Sequence, residues 1–345
     1  VVITSSGFRE AGGNGVRLER EIVEIAKEAG IRILGPNTTG ILNTSNNFTT
    51  SFVPRPRSMK GKVALIAQTG LFAAAAFWWI LSAEPFGLSK VVGLGNKSDV
   101  DDTEALEYLA EDEDTKVISI YMEGIKDGQR FLNAAREAAK KKPVLILKSG
   151  RTEAGARAAA SHTAALAGVD KIYDAAFTQS GVVRAQTLEE FFDMGRALQF
   201  QKPALGNRMS IVTNAGGPGI IAADTCIESG LRVDRLSEPT LGKLNAMKAR
   251  GELLQIMTGA NPIDLSGQGT SEMFAKVLRI LIEAAEVDGV IVMAFHQAPP
   301  ILDDAVESIA ETHKGYLKPI LACDVGGTEM AEEFRARFEK YGIPA

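Results

Sequence analysis

Of the three histidines in this 345-residue chain, one stands where an imidazole can react. His162 lies in Ser161-His162-Thr163-Ala164-Ala165-Leu166-Ala167-Gly168, among side chains too small to hide it. A neutral ring nitrogen is a nucleophile at physiological pH, so a reachable imidazole can take a group and pass it on. Gly150 and Gly155 give backbone freedom, and Ala156 to Ala160 with Arg157 pack little, so residues 151–168 are expected to form a mobile carrier loop. The same composition also fits a capped alanine-rich helix with the histidine on its surface. His296, after an apolar strand, reads as a loop-end histidine of structural use, and His313, late in a helix, as a solvated charge.

Two further stretches suit phosphate. Gln68-Thr69-Gly70 follows an apolar strand, Val63 to Ala67, and opens a helix, so its backbone N–H groups and the helix dipole can hold an anion. Asn214-Ala215-Gly216-Gly217-Pro218-Gly219 follows the strand Met209 to Thr213 in the same way, with Gly216, Gly217 and Gly219 letting the backbone approach a phosphate. Dinucleotide binding is the lesser option there, because Asp234 sits too near the helix end to serve as the ribose-binding acid.

These groups need a sheet edge to stand on. Residues 58–201 alternate strands with helices: Val63 to Ala67, a helix from Leu71, Lys90 to Gly93, Thr103 to Ala110, Val117 to Met122, Gly128 to Lys140, Val144 to Lys148. Residues 202–345 repeat the rhythm with Met209 to Thr213, Ile220 to Ser229, Val290 to Phe295 and Pro319 to Cys323. Such alternation predicts an α/β fold of successive doubly wound (Rossmann- or flavodoxin-like) parallel-sheet domains, with the working edge at the strands' C-terminal ends. Residues 1–57 supply only two short strands, Val1 to Thr4 and Ile31 to Leu34, and one helix, Leu18 to Glu28. That is too little to close a core, so a preceding half-domain is expected, and Asn43 to Arg57 reads as a polar, proline-bearing linker.

Composition narrows the function classes. A formal net charge of −5 offers no basic footprint for nucleic acid or an anionic membrane. Leu71 to Leu81, an apolar stretch with two tryptophans, is too short to span a bilayer, and the first residues show no signal-peptide pattern. Cys226 and Cys323 make neither a metal cluster nor a disulfide framework and read as buried small hydrophobes, which suits a reducing cytoplasm. No metal site is expected.

The run Lys148-Ser149-Gly150-Arg151-Thr152-Glu153-Ala154-Gly155, then Ser161-His162-Thr163 and Leu166-Ala167-Gly168, resembles the phosphohistidine loop of the NDP-forming acyl-CoA synthetases. This is the family of the ADP-forming acetyl-CoA synthetase alpha subunit, related to succinyl-CoA synthetase. The resemblance implies that His162 accepts a phosphoryl group from an acyl phosphate and passes it to ADP, or the reverse. It also implies that Glu123, in Tyr121-Met122-Glu123-Gly124 at a strand end, orients that histidine. A carboxylate on one ring nitrogen fixes the tautomer and leaves the other nitrogen nucleophilic.

Further strings extend the likeness. Gly7-Phe8-Arg9-Glu10-Ala11-Gly12 and Leu34-Gly35-Pro36-Asn37 resemble the end of the family's CoA-binding domain, which makes Ser5, Ser6 and Asn37 candidates for CoA. Gly93-Leu94-Gly95-Asn96-Lys97-Ser98-Asp99 resembles a loop near the CoA thiol, adding Gly95, Asn96 and Lys97; as bare sequence it is equally a plain turn. Where the family usually carries serines beside Gly70, this chain has Ala67 and Thr69. The implied cofactors are CoA, phosphate and ADP or ATP with Mg²⁺. The nucleotide would be held by an ATP-grasp beta-type subunit or fused domain, giving a hetero-oligomer or a dimer. The competing reading is a non-catalytic acyl-CoA-sensing or scaffold module, of the kind fused to protein acetyltransferases, in which the histidine would be idle.

Overall fold

The computed structural model describes residues 1–52, 60–68, 87–163, 169–299, 301, 304–324 and 327–345, with the side chains of 159–163 left aside. They form two compact units, Val1–Gln199 and Phe200–Ala345. Thr69, Gly70, the helix expected from Leu71, and 164–168 lie outside the described residues.

In the first unit, β1 (Ile41–Asn43), β2 (Phe48–Thr49), β3 (Lys60–Ala67), β4 (Leu88–Gly93), β5 (Val117–Met122), β6 (Val144–Lys148) and β7 (Val183–Ala185) make one sheet in the order β2-β1-β4-β3-β5-β6-β7. From β4 to β7 it is parallel, and β1 and β2 add antiparallel strands at one edge. Side chains alternate between two cores, as the period of a strand requires. Ala64, Ile66, Ile118, Ile120 and Met122 face one of them, together with Leu106 and Leu109 of α2 (Asp102–Glu111), Phe131 and Ala135 of α3 (Gly128–Lys141), and Phe177 of α5 (Asp170–Ser180). Val63, Leu65, Ala67, Val117 and Leu145 face the other, against Phe191 and Phe192 of α6 (Leu188–Phe200). Being covered on both sides makes these strands continuous apolar runs, and each large side chain so buried contributes about 1.5–3 kcal/mol. Two N-caps fix the helices that leave the working edge. Asp101 accepts from the N–H groups of Thr103 and Glu104, and Asp127 from that of Arg130.

The segment expected to be a linker is partly sheet: β2 falls within it and pairs with β1, which ends at its first residue, Asn43, and pairs onto β4. The N-terminal strands reduce to a single parallel bridge, Val2 with Leu34. Helix α1 (Asn14–Glu28) and a 3₁₀ turn (Arg9–Ala11) complete this part. It is tied to the region after β4 by Ile33 N–H on Asp99 Oδ2 at 2.7 Å, and by Arg32 on both Asp99 and Glu104.

The second unit is a parallel sheet of β8 (Met209–Thr213), β9 (Ile263–Asp264), β10 (Gly289–Met293) and β11 (Ile320–Ala322) in the order β11-β10-β8-β9. Its helices are α7 (Gly216–Glu228), α8 (Glu238–Ala249), α9 (Ser271–Glu283), α10 (Ala305–His313) and α11 (Glu329–Lys340). Phe274, Val277, Leu278 and Leu281 of α9 fill the larger core.

Arg208, just before β8, forks onto Asp288, just before β10, with Nε–Oδ2 at 2.8 Å and Nη2–Oδ1 at 2.7 Å. The guanidinium lowers the Asp288 carboxyl from 3.8 to about 2. A carboxyl depressed by folding stabilises above its unfolded value, and that contribution is lost as pH falls through the folded one. Asp288→Asn is therefore expected to melt at a lower temperature than the parent near neutral pH. The gap should close between 3.8 and about 2; a gap that persists in acid would refute this.

Candidate active site

The C-terminal ends of β3, β4, β5 and β6 converge, and the polar residues there bind one another. Gln68, the residue after β3, is buried, and its Oε1 accepts from Lys97 Nζ at 3.0 Å, Glu123 N at 2.9 Å and Gly124 N at 3.1 Å. Lys97, from the loop after β4, also donates to Asp102 Oδ2 at 2.6 Å and to the Gly124 carbonyl at 2.6 Å. Glu123, directly after β5, is only 6% exposed. Met122 pairs with Lys148 across the sheet, and Ser149 N donates to the Met122 carbonyl at 3.0 Å, which sets the start of the histidine segment beside Glu123.

Lys148 closes this side. Its ammonium donates to the Ser149 carbonyl and lies 4.7 Å from the centre of the Tyr173 ring. Burial pushes it below the ordinary lysine range, with Asp170 and Glu123 pulling the other way. Tyr121 is held above the ordinary phenol range, first by burial and further by the Glu123 charge, while a hydrogen bond with Ser149 opposes.

Within the described part of the histidine segment, Glu153–Thr163 are a helix, which corrects the loop expected there. Helix α4 runs Glu153–Thr163 and places His162 in its last turn. Thr152 Oγ1 accepts from Gly155 N at 3.1 Å at its start, and Arg157 pairs with Glu153 one turn on. The alanine run, with its high helix propensity, outweighs the freedom of Gly150 and Gly155. Four residues separate β6 from α4, so the helix leaves from the same edge that carries Glu123. It also approaches the Arg9–Ala11 turn.

The residues expected at CoA fall into two groups. Ser5 and Ser6 are exposed, and Asn37 is half-buried. Asn96 and Lys97 are buried and spend their polar groups within the chain. Asn96 Nδ2 donates to Glu10 Oε2 at 2.6 Å and Glu19 Oε2 at 2.8 Å, its Oδ1 accepts from Asn37 at 3.4 Å, and its carbonyl accepts from Arg9. Gly95 must be a glycine: its φ is +60°, and a Cβ would lie 2.2 Å from the Pro36 carbonyl oxygen. Burial works against the Glu10 carboxylate, yet hydrogen bonds from Asn96, Gly7 and Phe8 hold it below its ordinary range. Buried Glu19, which accepts from Arg9 N, Asn96 and Ser98, was missed by sequence reasoning, because a glutamate in a charged helix reads as solvated. Asp102 was missed for the same reason, inside an acidic run.

In the second unit, Gly216, Gly217 and Gly219 do open α7. A Cβ on Gly216 would lie 2.7 Å from Asp264 Oδ2, so a carboxylate already stands at that helix N-terminus. His296 Nδ1 donates to Asp324 Oδ2 at 2.5 Å, with both side chains buried. His313 is half-buried rather than solvated, and its Nε2 donates to the Lys318 carbonyl at 2.8 Å. Cys226 is buried as expected, whereas Cys323 is only half-buried. Among the described residues no cluster of three or more histidines, cysteines or acids could hold a metal ion. No helix among them is long and apolar enough to cross a membrane.

Comparison with known proteins now decides the family. Residues 60–198 match the succinyl-CoA ligase like flavodoxin domain, and 209–345 the Ligase-CoA domain. Two Pyrococcus furiosus proteins, the alpha subunits of ADP-forming acetate–CoA ligases I and II, are 41% and 40% identical over the whole of this chain, which spans 73% and 74% of their lengths. The chain belongs to the ADP-forming acetate–CoA ligase family. The dinucleotide-forming acetyl-coenzyme A synthetase 1 of Candidatus Korarchaeum cryptofilum, solved with phosphate and ADP, superposes with a TM-score of 0.89 at 33% identity, over 99% of this chain and 72% of that one. Membership in this ligase family makes the chain an acid–thiol ligase of alpha type and leaves the scaffold reading without support. The α/β fold of parallel sheets expected from the sequence is the one observed.

Proposed function

We propose that this chain is the alpha-type part of a ligase that interconverts acyl-CoA, ADP and phosphate with free acid, CoA and ATP, and that His162 carries the phosphoryl group between the two halves of the reaction. Phosphate attacks the thioester carbonyl, expelling CoA thiolate and forming an acyl phosphate. A ring nitrogen of His162 then attacks phosphorus, the carboxylate leaves, and ADP takes the phosphoryl group from the imidazole. Glu123 fixes the ring tautomer by accepting from the second nitrogen. Backbone N–H groups at Thr69 and Gly70 hold the phosphate, whereas Gln68, expected beside them, spends its backbone N–H on the Tyr121 carbonyl at 3.2 Å. Gly216, Gly217 and Gly219 offer a second such terminus, but Asp264 competes for it, so it ranks behind the first.

CoA lies along the Ser5–Asn37 side of the unit, next to Gly95, with Asn96 and Lys97 shaping the loop around it. ADP and Mg²⁺ belong to an ATP-grasp beta-type subunit or fused domain, so the working enzyme is a hetero-oligomer or a dimer. Its compartment is the cytoplasm. The observation that supports this reading is that the segment leading to His162 starts beside the buried Glu123, where Ser149 N bonds the Met122 carbonyl.

The test is mass spectrometry of the chain after incubation with its nucleotide-binding partner, ATP and Mg²⁺. One phosphoryl group, acid-labile and base-stable, is expected on the peptide containing His162. An unmodified peptide, or a group on a hydroxyl residue, would refute the relay.

A further inference from the structure

We propose that Lys97 and Gln68 act as a clamp that positions Glu123 for phosphoryl transfer, so that their side chains serve that step and contact neither CoA nor phosphate. The inference rests on the relay reading of His162 and Glu123. A lysine ammonium has three N–H donors and no acceptor, and all three here are spent inside the chain, on Gln68 Oε1, Asp102 Oδ2 and the Gly124 carbonyl. The side chain is only 5% exposed, so no face of the ammonium is left for a ligand phosphate.

Gln68 is equally committed. Its Oε1 faces three donors, which fixes the orientation of the amide, since the NH₂ end would meet three N–H groups. Gly124 is consequently pinned twice, its N–H by Gln68 and its carbonyl by Lys97, while Glu123 is pinned by its own N–H. Asp102, in the first turn of α2, anchors the ammonium from behind. Lys97 itself has a φ of +55°, which a lysine seldom takes unless its surroundings hold it. The result is a turn with one setting, carrying the carboxylate that must meet a histidine arriving from elsewhere.

The experiment uses the complete ligase, the chain with its nucleotide-binding partner, and two readouts. One is the rate constant and amplitude with which His162 is labelled by ATP carrying a labelled γ-phosphate, a half-reaction that needs no CoA. The other is the KM for CoA in the full reaction. For Lys97→Met the labelling rate constant is expected to fall by roughly 10- to 100-fold, as slight misplacement of a reacting group does. The amplitude, which counts folded protein, should match the parent, and the KM for CoA should change far less than the labelling rate constant.

A raised KM for CoA with labelling at the parental rate would overturn the clamp and make Lys97 a CoA contact. Gln68→Met, which conserves volume and charge, should show the same signature, and it carries the test if Lys97→Met does not fold. His162→Ala, run alongside, separates the two claims. If it still labels, the relay is lost and the clamp with it; if it is blank while both clamp variants label at the parental rate, the clamp alone falls.

Discussion

His162→Ala is expected to abolish phosphoryl labelling and to cut turnover by roughly 10⁴-fold or more, the scale on which loss of a covalent nucleophile acts. The other two histidines are not placed to substitute: the His296 side chain is buried against Asp324, and His313 is half-buried. Neither lies in a glycine-flanked run of small residues, whereas His162 does. His296→Ala and His313→Ala should therefore label as the parent does. Glu123→Gln keeps the shape of the side chain and removes its acidity, so it should slow labelling with the fold intact. The decisive assay mixes each variant with the nucleotide-binding partner, ATP and Mg²⁺, and measures acid-labile phosphoryl per chain. Parental labelling of His162→Ala would end the relay reading.

Gly95→Ala should damage both the stability of the first unit and its chemistry. A left-handed backbone costs an alanine about 1–2 kcal/mol, and the added methyl must also displace the Pro36 carbonyl at 2.2 Å and the Asn37 carbonyl at 2.8 Å. These are backbone atoms, unable to swing aside as the end of a long side chain can, so overpacking adds about 1–3 kcal/mol more. The movement would break Asn96 N–H on the Pro36 carbonyl and Ser98 N–H on the Gly35 carbonyl, and carry Asn96 and Lys97 away together. A clear drop in melting temperature, a raised KM for CoA and slower labelling of His162 are expected at once. A variant that melts and turns over like the parent would show that the loop tolerates a different path.

The parts of this molecule that could be read from sequence are those where one local signal dominates. Val117 to Met122 and Val144 to Lys148 are apolar runs closed by polar residues, and both strands fall on those residues. The helix expected over Gly128 to Lys140 ends one residue later. Tertiary pairing hid the rest. Nothing local marks Phe48–Thr49 as a strand, because an asparagine-rich hairpin acquires its meaning only from the edge of β4 on which it lies. The opposite error occurred at Val1 to Thr4, whose apolar run gains a single bridge and no ladder.

At the site, motif strings located Gln68, Glu123 and the 93–99 loop. They could not say that Lys97 and Asn96 are turned inward, since a charged residue in a polar loop looks the same whether it meets a ligand or Asp102. Glu19 and Asp102 were invisible for that reason. The histidine segment was misread because glycine was weighed above alanine, and eleven residues holding five alanines settled into a helix.

That helix sets a length. As eleven helical residues it spans about 16 Å. Drawn out, the same residues reach about 36–40 Å. A helix of this size is marginal by itself in water, and the described side chains of α4 are exposed or half-buried and held by a single ion pair along their face. Uncoiling α4 would thus more than double the reach of the segment that ends near His162. A carrier that must serve two stations can be stored as a coiled spring at one and paid out as line toward the other.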